Sequence, residues 1–261
     1  MIDLSGRRAL VCGSTQGIGR ATAERLAALG ARITLLARDA AALATVRAAL
    51  PSVSGAEHGA LTADFRDPVA VSDVVRSHIA RTGPIEILVN NTGGPPAGPL
   101  LDAAPQAFID AVTMHICCNH LLVQALAPGM RERGYGRIIN IISTSVRQPI
   151  PGLGVSNTIR AAVAAWAKTL AGELAPHAIT VNNVLPGYTC TGRLSSLIRA
   201  RAEKQSVTAE SVEDAMRRET PLGRFAAPEE IADAVAFLAS ASAGYITGVS
   251  LPVDGGRISA I

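Results

Sequence analysis

The sequence predicts a doubly wound α/β fold, with seven parallel strands and helices on both faces, in one domain covering residues 1–261. Three observations predict it. Short β-branched and aliphatic runs alternate with helix-length stretches along the whole chain; the runs are apolar at successive positions, as strands covered on both faces must be; and no compositional break or low-complexity linker marks a second domain. With 48% hydrophobic and 17% charged residues, the chain has the apolar mass for one large core and too little charge for a disordered polymer.

Taken in order, the strand runs are RRALVC, ARITLLA, a weaker AEHGALTAD, ILVNN, RIINIIS, ITVNNVL and GVSLPV. Helices are expected over about 17–29, 39–49, 68–82, 104–132, 156–175, 194–218 and 228–239, with Gly30, Pro51, Gly83 and Pro176 punctuating their ends. The polar stretch that begins at Ser195 has helical spacing and reads as part of an exposed flap over about residues 189–218 rather than a separate domain.

Several function classes are disfavoured. A net charge of +3 with no Lys/Arg block gives little support to nucleic-acid binding, and the absence of an eighteen-residue apolar run argues against a membrane span. The chain enters a strand almost at once, which leaves no room for a targeting segment and implies a cytoplasmic protein. Cys12, Cys117, Cys118 and Cys190 form no C-x-x-C pair, and His115 and His120 are five apart, off a common helical face; no metal site is expected.

The strongest motif follows the first strand. Gly13-Ser14-Thr15-Gln16-Gly17-Ile18-Gly19 leads directly into RATAERLAALG, so the glycines sit where a strand turns into a helix. Gly13 permits the tight turn, Gly17 and Gly19 let backbone approach phosphates and sheet, and the free amides of the loop, including those of Ser14, Gln16 and Ile18, attract negative charge. With a strand before it and a helix after it, the motif reads as a Rossmann-type dinucleotide site ahead of a merely structural turn. At the end of the second strand Ala37 carries no carboxylate, while Arg38 can pair with a 2′-phosphate or stack on adenine, which favours NADP. Asp39 next door keeps NAD open, and a solvated strand end is the plain alternative for Arg38. After the third strand, Asp64 can accept from the adenine amino group, with Phe65 beside it, or simply cap the next helix.

These residues resemble the short-chain dehydrogenase/reductase family over essentially the whole chain. GSTQGIG, NNTGG, VNNVLPG, PLGRFAAPEEIA and GVSLPVDGG each match family segments, in the family's order. The resemblance implies that Asn90 and Gly93 steady the sheet against the cofactor, and that Pro186, Gly187 and Thr191 contact its nicotinamide end. It also implies a homo-oligomer, a dimer or a tetramer, built on the helices at about 104–132 and 156–175.

Family members work with a Ser, a Tyr-x-x-x-Lys pair and a helix Asn. RIINIIS places Ser143 at the serine, where it can bind a substrate oxygen or merely cap. Thirteen residues on, where Tyr and Lys are expected, the chain reads Ser156-Asn-Thr-Ile-Arg160. The following AAVAAWAKTLAGELAP fixes the register, and the same counting puts His115 at the Asn. Serine's hydroxyl is a far weaker acid than a phenol, and a guanidinium stays protonated. Arg160 can still grip the nicotinamide ribose or a substrate carboxylate, or be structural. For the proton, His115 and Tyr188 are the candidates, against core histidine and pocket lining as the plain readings.

Three functions follow. The first is an NADP-leaning oxidoreductase acting on a carbonyl or alcohol of a small-molecule substrate, with an altered proton-transfer site. The second is a cofactor-binding protein without dehydrogenase chemistry, serving as sensor, scaffold or silent subunit. The third keeps fold and cofactor but performs elimination or retro-aldol cleavage.

Overall fold

Successive residues of each strand run supply opposite faces of one sheet, and that alternation organises the molecule. In the computed structural model, which describes residues 2–53, 55 and 57–260, Ala9 and Val11 of β1 (Arg8–Cys12) join one apolar cluster and Leu10 and Cys12 join another. Such strands need helices on both sides. The first cluster is closed by α1 (Gly17–Ala28), α2 (Ala40–Ala49) and α9 (Pro228–Ala239); the second by α3 (Pro68–Thr82), α5 (Cys118–Arg133) and α6 (Gly154–Leu174).

The remaining strands are β2 (Arg32–Ala37), β3 (Gly59–Thr62), β4 (Ile87–Asn90), β5 (Gly136–Ile141), β6 (Ile179–Pro186) and β7 (Ser250–Val253). All pair in parallel, in the order β3-β2-β1-β4-β5-β6-β7. Leu10 at the centre of β1 lies opposite Thr34 on one side and Leu88 on the other. The chain therefore winds outward from β1 to β3, then returns to the other side of β1 with β4. The loops after these two strands diverge there and open a crevice at the carboxyl ends of the sheet, the place where such folds take their ligands. All seven expected strands are present, including the weak third one, although its first residue, Ala56, lies outside the described residues.

Buried amides lock the register beneath the crevice. Asn90 Nδ2 donates to Asn140 Oδ1 at 2.8 Å, and Asn140 Nδ2 donates to Asn183 Oδ1 at 2.9 Å, linking β4, β5 and β6 side by side.

Two helical expectations are corrected. The run over about 194–218 is two helices, α7 (Gly192–Gln205) and α8 (Ala209–Arg218). Ser206 takes a left-handed conformation, φ 53°, and Thr208 accepts from Ser211 N to start α8, so a periodic polar sequence is cut by its own caps. The run over about 104–132 is α4 (Pro105–Val112), one π turn over Thr113–Cys117, and α5. This helical run, Pro105–Arg133, also contains an 18-residue stretch of mean hydropathy 1.2, apolar and long enough to cross a membrane by length and composition alone. The stretch is not an unbroken apolar run, since Asn119 and His120 fall within it, and Leu122, Leu126 and Met130 spend their apolar face on the sheet.

Candidate functional site

A cavity of about 980 Å³ follows the carboxyl edge of the sheet, walled by the loops after β1 to β6 and by α7. Its first wall is the opening of α1. Gln16 stands before the helix with extended backbone and no side-chain cap, and the first turn holds no acidic residue, so the amides of Gly17, Ile18 and Gly19 and the positive helix end are left for an anion. The turn works only with glycine. Gly13 sits at φ 58°, and a Cβ there would stand 2.6 Å from the Asn91 carbonyl oxygen; at Gly19 a Cβ would strike the Gly13 carbonyl.

Gly13, Gln16, Gly17, Ile18, Arg38, Asp64, Phe65, Gly93, Ser143, Ser156, Arg160, Pro186, Gly187, Tyr188 and Thr191 all line this cavity. Four expected site residues do not. Ser14 is fully buried and turned inward, its Oγ accepting from Leu36 N at 3.1 Å, and Thr15 lines the wall in its place. Gly19 shapes the turn from behind. Asn90 lies under the crevice in the amide row, and the neighbouring Asn91 reaches the cavity instead, donating to the Cys12 and Gly13 carbonyls at 3.2 and 3.3 Å. In a strand, neighbours point to opposite faces, so a one-residue choice in NNTGG moves the role from wall to core.

His115 is the fourth. The π turn adds a residue to one helical turn and carries the imidazole inward, where it is 2% exposed. Burial, and then the Arg160 guanidinium, push its pKa down to about 2 against a hydrogen bond to the Gly93 backbone. It is a neutral core histidine behind the cavity wall.

The carboxylates on the cavity are already engaged. Asp39 Oδ1 caps α2 by accepting from Ala42 N at 2.9 Å. Asp64 Oδ2 accepts from Arg66 Nη2 at 2.6 Å, which lowers its pKa; the helix that Asp64 was alternatively expected to cap is capped by Asp67. Arginines dominate the rest of the wall: Arg38, Arg66, Arg160, Arg193, Arg201 and Arg257.

At the far end Ser156 and Arg160 stand one turn apart on the same face of α6. Arg160 Nη1 donates to the Ile141 carbonyl at 3.2 Å, and burial, then the nearby Arg193, push its pKa down to about 10. Ser143 Oγ both lines the cavity and accepts from Ser145 N at 3.1 Å. The phenol of Tyr188 donates to Glu219 Oε2 at 2.6 Å and accepts from Arg257 Nη2 at 2.9 Å. Burial, then Glu219, push the phenol upward; burial alone would raise Glu219, but bonds from Tyr188 and Arg257 outweigh it and lower it. Thr15, Asn91, Arg193, Arg201, Glu219 and Arg257 were not picked out from sequence. Arg193 had a signal, its place two residues after Thr191; Glu219 and Arg257 reach Tyr188 only through tertiary folding.

A parallel doubly wound sheet with an uncapped, glycine-built helix opening at its switch point defines a dinucleotide-binding α/β protein. Residues 13–257 match a family model described as "Enoyl-(Acyl carrier protein) reductase". The "Short-chain reductase protein NovJ" of Streptomyces niveus is 34% identical over 251 residues, covering 95% of this chain and 93% of that one. Among solved structures, L-sorbose reductase from Gluconobacter frateurii, complexed with NADPH and L-sorbose, superposes with a TM-score of 0.93 at 32% identity, over 100% and 99% of the two chains. Actinorhodin polyketide ketoreductase with NADPH gives 0.90 at 32% identity over 100% of both. The chain belongs to the short-chain dehydrogenase/reductase family.

Proposed function

We propose that this chain is an NADPH-dependent reductase of a small-molecule carbonyl whose proton comes from Tyr188 rather than from a Tyr-x-x-x-Lys pair. The observation that carries the reading is one continuous cavity, which joins the open end of α1 to Ser143, Ser156, Arg160 and Tyr188. The related L-sorbose reductase and actinorhodin ketoreductase were solved with NADPH, and the cofactor preference agrees with the residues after β2. Asp39 spends its carboxylate on α2, whereas Arg38 presents a guanidinium at the place of the adenosine ribose, suited to a 2′-phosphate.

NADPH supplies the hydride. This chain's residues then have to hold the carbonyl oxygen and give it a proton. Ser143 Oγ can donate a hydrogen bond to that oxygen, and the Arg160 guanidinium stabilises the negative charge that develops on it without releasing a proton. Ser156 is too weak an acid for the transfer, and His115 is buried and neutral. Tyr188 is, among the described residues, the one phenol on the cavity. Its raised pKa does not prevent the step, because an alkoxide is a much stronger base than a phenolate. In that step the Tyr188 O–H turns from Glu219 Oε2 to the substrate and breaks toward the alkoxide, Arg257 steadies the phenolate against the Glu219 carboxylate, and solvent returns the proton.

The test is loss of NADPH absorbance over a panel of ketones and aldehydes, for the wild type and Tyr188→Phe. The proposal expects turnover that falls about a hundredfold in Tyr188→Phe with NADPH affinity kept. NADPH that binds but is never oxidised would favour the second reading, a cofactor-binding protein without hydride chemistry.

A further inference from the structure

Two guanidiniums converge over Gly94. The Nη2 atoms of Arg160 and Arg193 each lie 3.7 Å from the point that a Gly94 Cβ would occupy, and both side chains line the cavity. They come from different helices: Arg160 from the second turn of α6, and Arg193 from the first turn of α7, where its Nη2 also donates to the Pro95 carbonyl at 2.7 Å. The missing side chain at Gly94 leaves the space between them open.

Neither charge is compensated. Arg160 is 8% exposed, yet its hydrogen bond goes to a neutral carbonyl, and so does that of Arg193. Among the described residues no carboxylate pairs with either. Other arginines of the chain do have such partners: Arg66 has Asp64, Arg224 has Glu230, and Arg257 has Glu219. Each guanidinium carries five N–H donors, so one carbonyl contact leaves most of the fork free. The Arg160 charge is withdrawn from bulk water while Arg193 stays exposed beside it, and a buried charge with a like charge as neighbour is costly to the fold unless an anion completes the group.

We propose that Arg160 and Arg193 bind an anionic group of the substrate, a carboxylate or a phosphate, in a two-armed clamp over Gly94. This rests on the reductase reading above and gives its substrate class: a carbonyl compound that also carries an acid. The cofactor's phosphates have other donors, the amides opening α1 and the guanidinium of Arg38. Arg201 and Arg257 on the same cavity extend the positive field that draws an anion in.

The experiment is calorimetric titration of the full chain saturated with NADP, which cannot reduce the ligand, using levulinate, 2-oxoglutarate and acetonylphosphonate, each against its fully methylated ester. The acids are expected to bind at least about tenfold more tightly than their esters. Arg193→Gln should erase that preference, Arg193→Lys should restore part of it, and NADPH affinity should change less than about twofold in both. Equal binding of acids and esters by the NADP-loaded wild type overturns the inference and leaves the reductase reading standing. So does an Arg193→Gln variant that loses NADPH affinity as fully as acid binding, because the clamp then belongs to a cofactor phosphate. A wild type that binds no NADPH defeats the reductase reading first, and the inference with it.

Discussion

The Arg160 guanidinium donates to the Ile141 carbonyl at 3.2 Å, so a buried arginine with no carboxylate partner among the described residues ties α6 to the end of β5. One hydrogen bond to a carbonyl contributes about 1 kcal/mol, while holding the charge away from water costs several. Arg160 therefore serves binding at the expense of stability. Arg160→Met should melt at the same temperature as the wild type or higher, and lose binding at the far end of the cavity. A thermal melt showing a loss beyond about 2 kcal/mol would mean that the residue is structural.

Arg38 faces the cavity at the end of β2, beside an aspartate already committed to α2. A bidentate guanidinium–phosphate pair is lost only when the ligand carries the extra phosphate. Arg38→Ala should weaken NADPH by about tenfold or more and NADH by less than about twofold, as read by fluorescence titration of both nucleotides. Equal losses would remove Arg38 from the 2′-phosphate.

His115 gives a pH signature. Its pKa falls from 6.5 in the unfolded chain to about 2 in the fold, through burial and then Arg160. The folded imidazole stays neutral while the unfolded one takes up a proton, so the unfolded state binds more protons below pH 6.5. The stability His115 contributes is complete above that pH and drains away as pH falls, by up to about 1.4 kcal/mol per pH unit. Denaturant melts from pH 7 to pH 4 should show a shallower decline in His115→Asn than in the wild type. Parallel curves would place a proton on the imidazole in the fold.

The positions of Ser156 and Arg160 on the cavity side of α6 permit a gain-of-function test. A phenol beside an ammonium can pass protons where a serine and a guanidinium cannot. Ser156→Tyr with Arg160→Lys should raise NADPH-dependent reduction of a simple ketone by about tenfold or more, provided hydride delivery is intact. A folded, cofactor-binding double variant with no gain would show that the proton is not what limits turnover.

Most of the architecture was legible in residue order, because the strand runs are apolar at successive positions and the glycine turn has a strand before it and a helix after it. The site was legible where backbone makes it, at Gly13, Gly17 and Gly187, and less so where it depends on which way a side chain points. Asn90 and Asn91 are the same residue type one step apart, and strand pleating sends the first into the amide row and the second to the crevice. Ser14 satisfies the Leu36 amide inside the fold, a demand set by a strand twenty-two residues on. His115 is turned inward by a π turn that periodicity does not announce. The Tyr188–Glu219–Arg257 group and the meeting of Arg160 with Arg193 join segments that are distant in sequence, and helix and strand patterns carry no information about them.

Cofactor binding depends on the uncapped opening of α1 receiving a diphosphate, and direct titration of NADPH fluorescence with the wild-type chain tests it. The expected result is a saturable signal at one nucleotide per chain, reversed by competing NADP. The absence of any saturable signal up to about 1 mM nucleotide would contradict it.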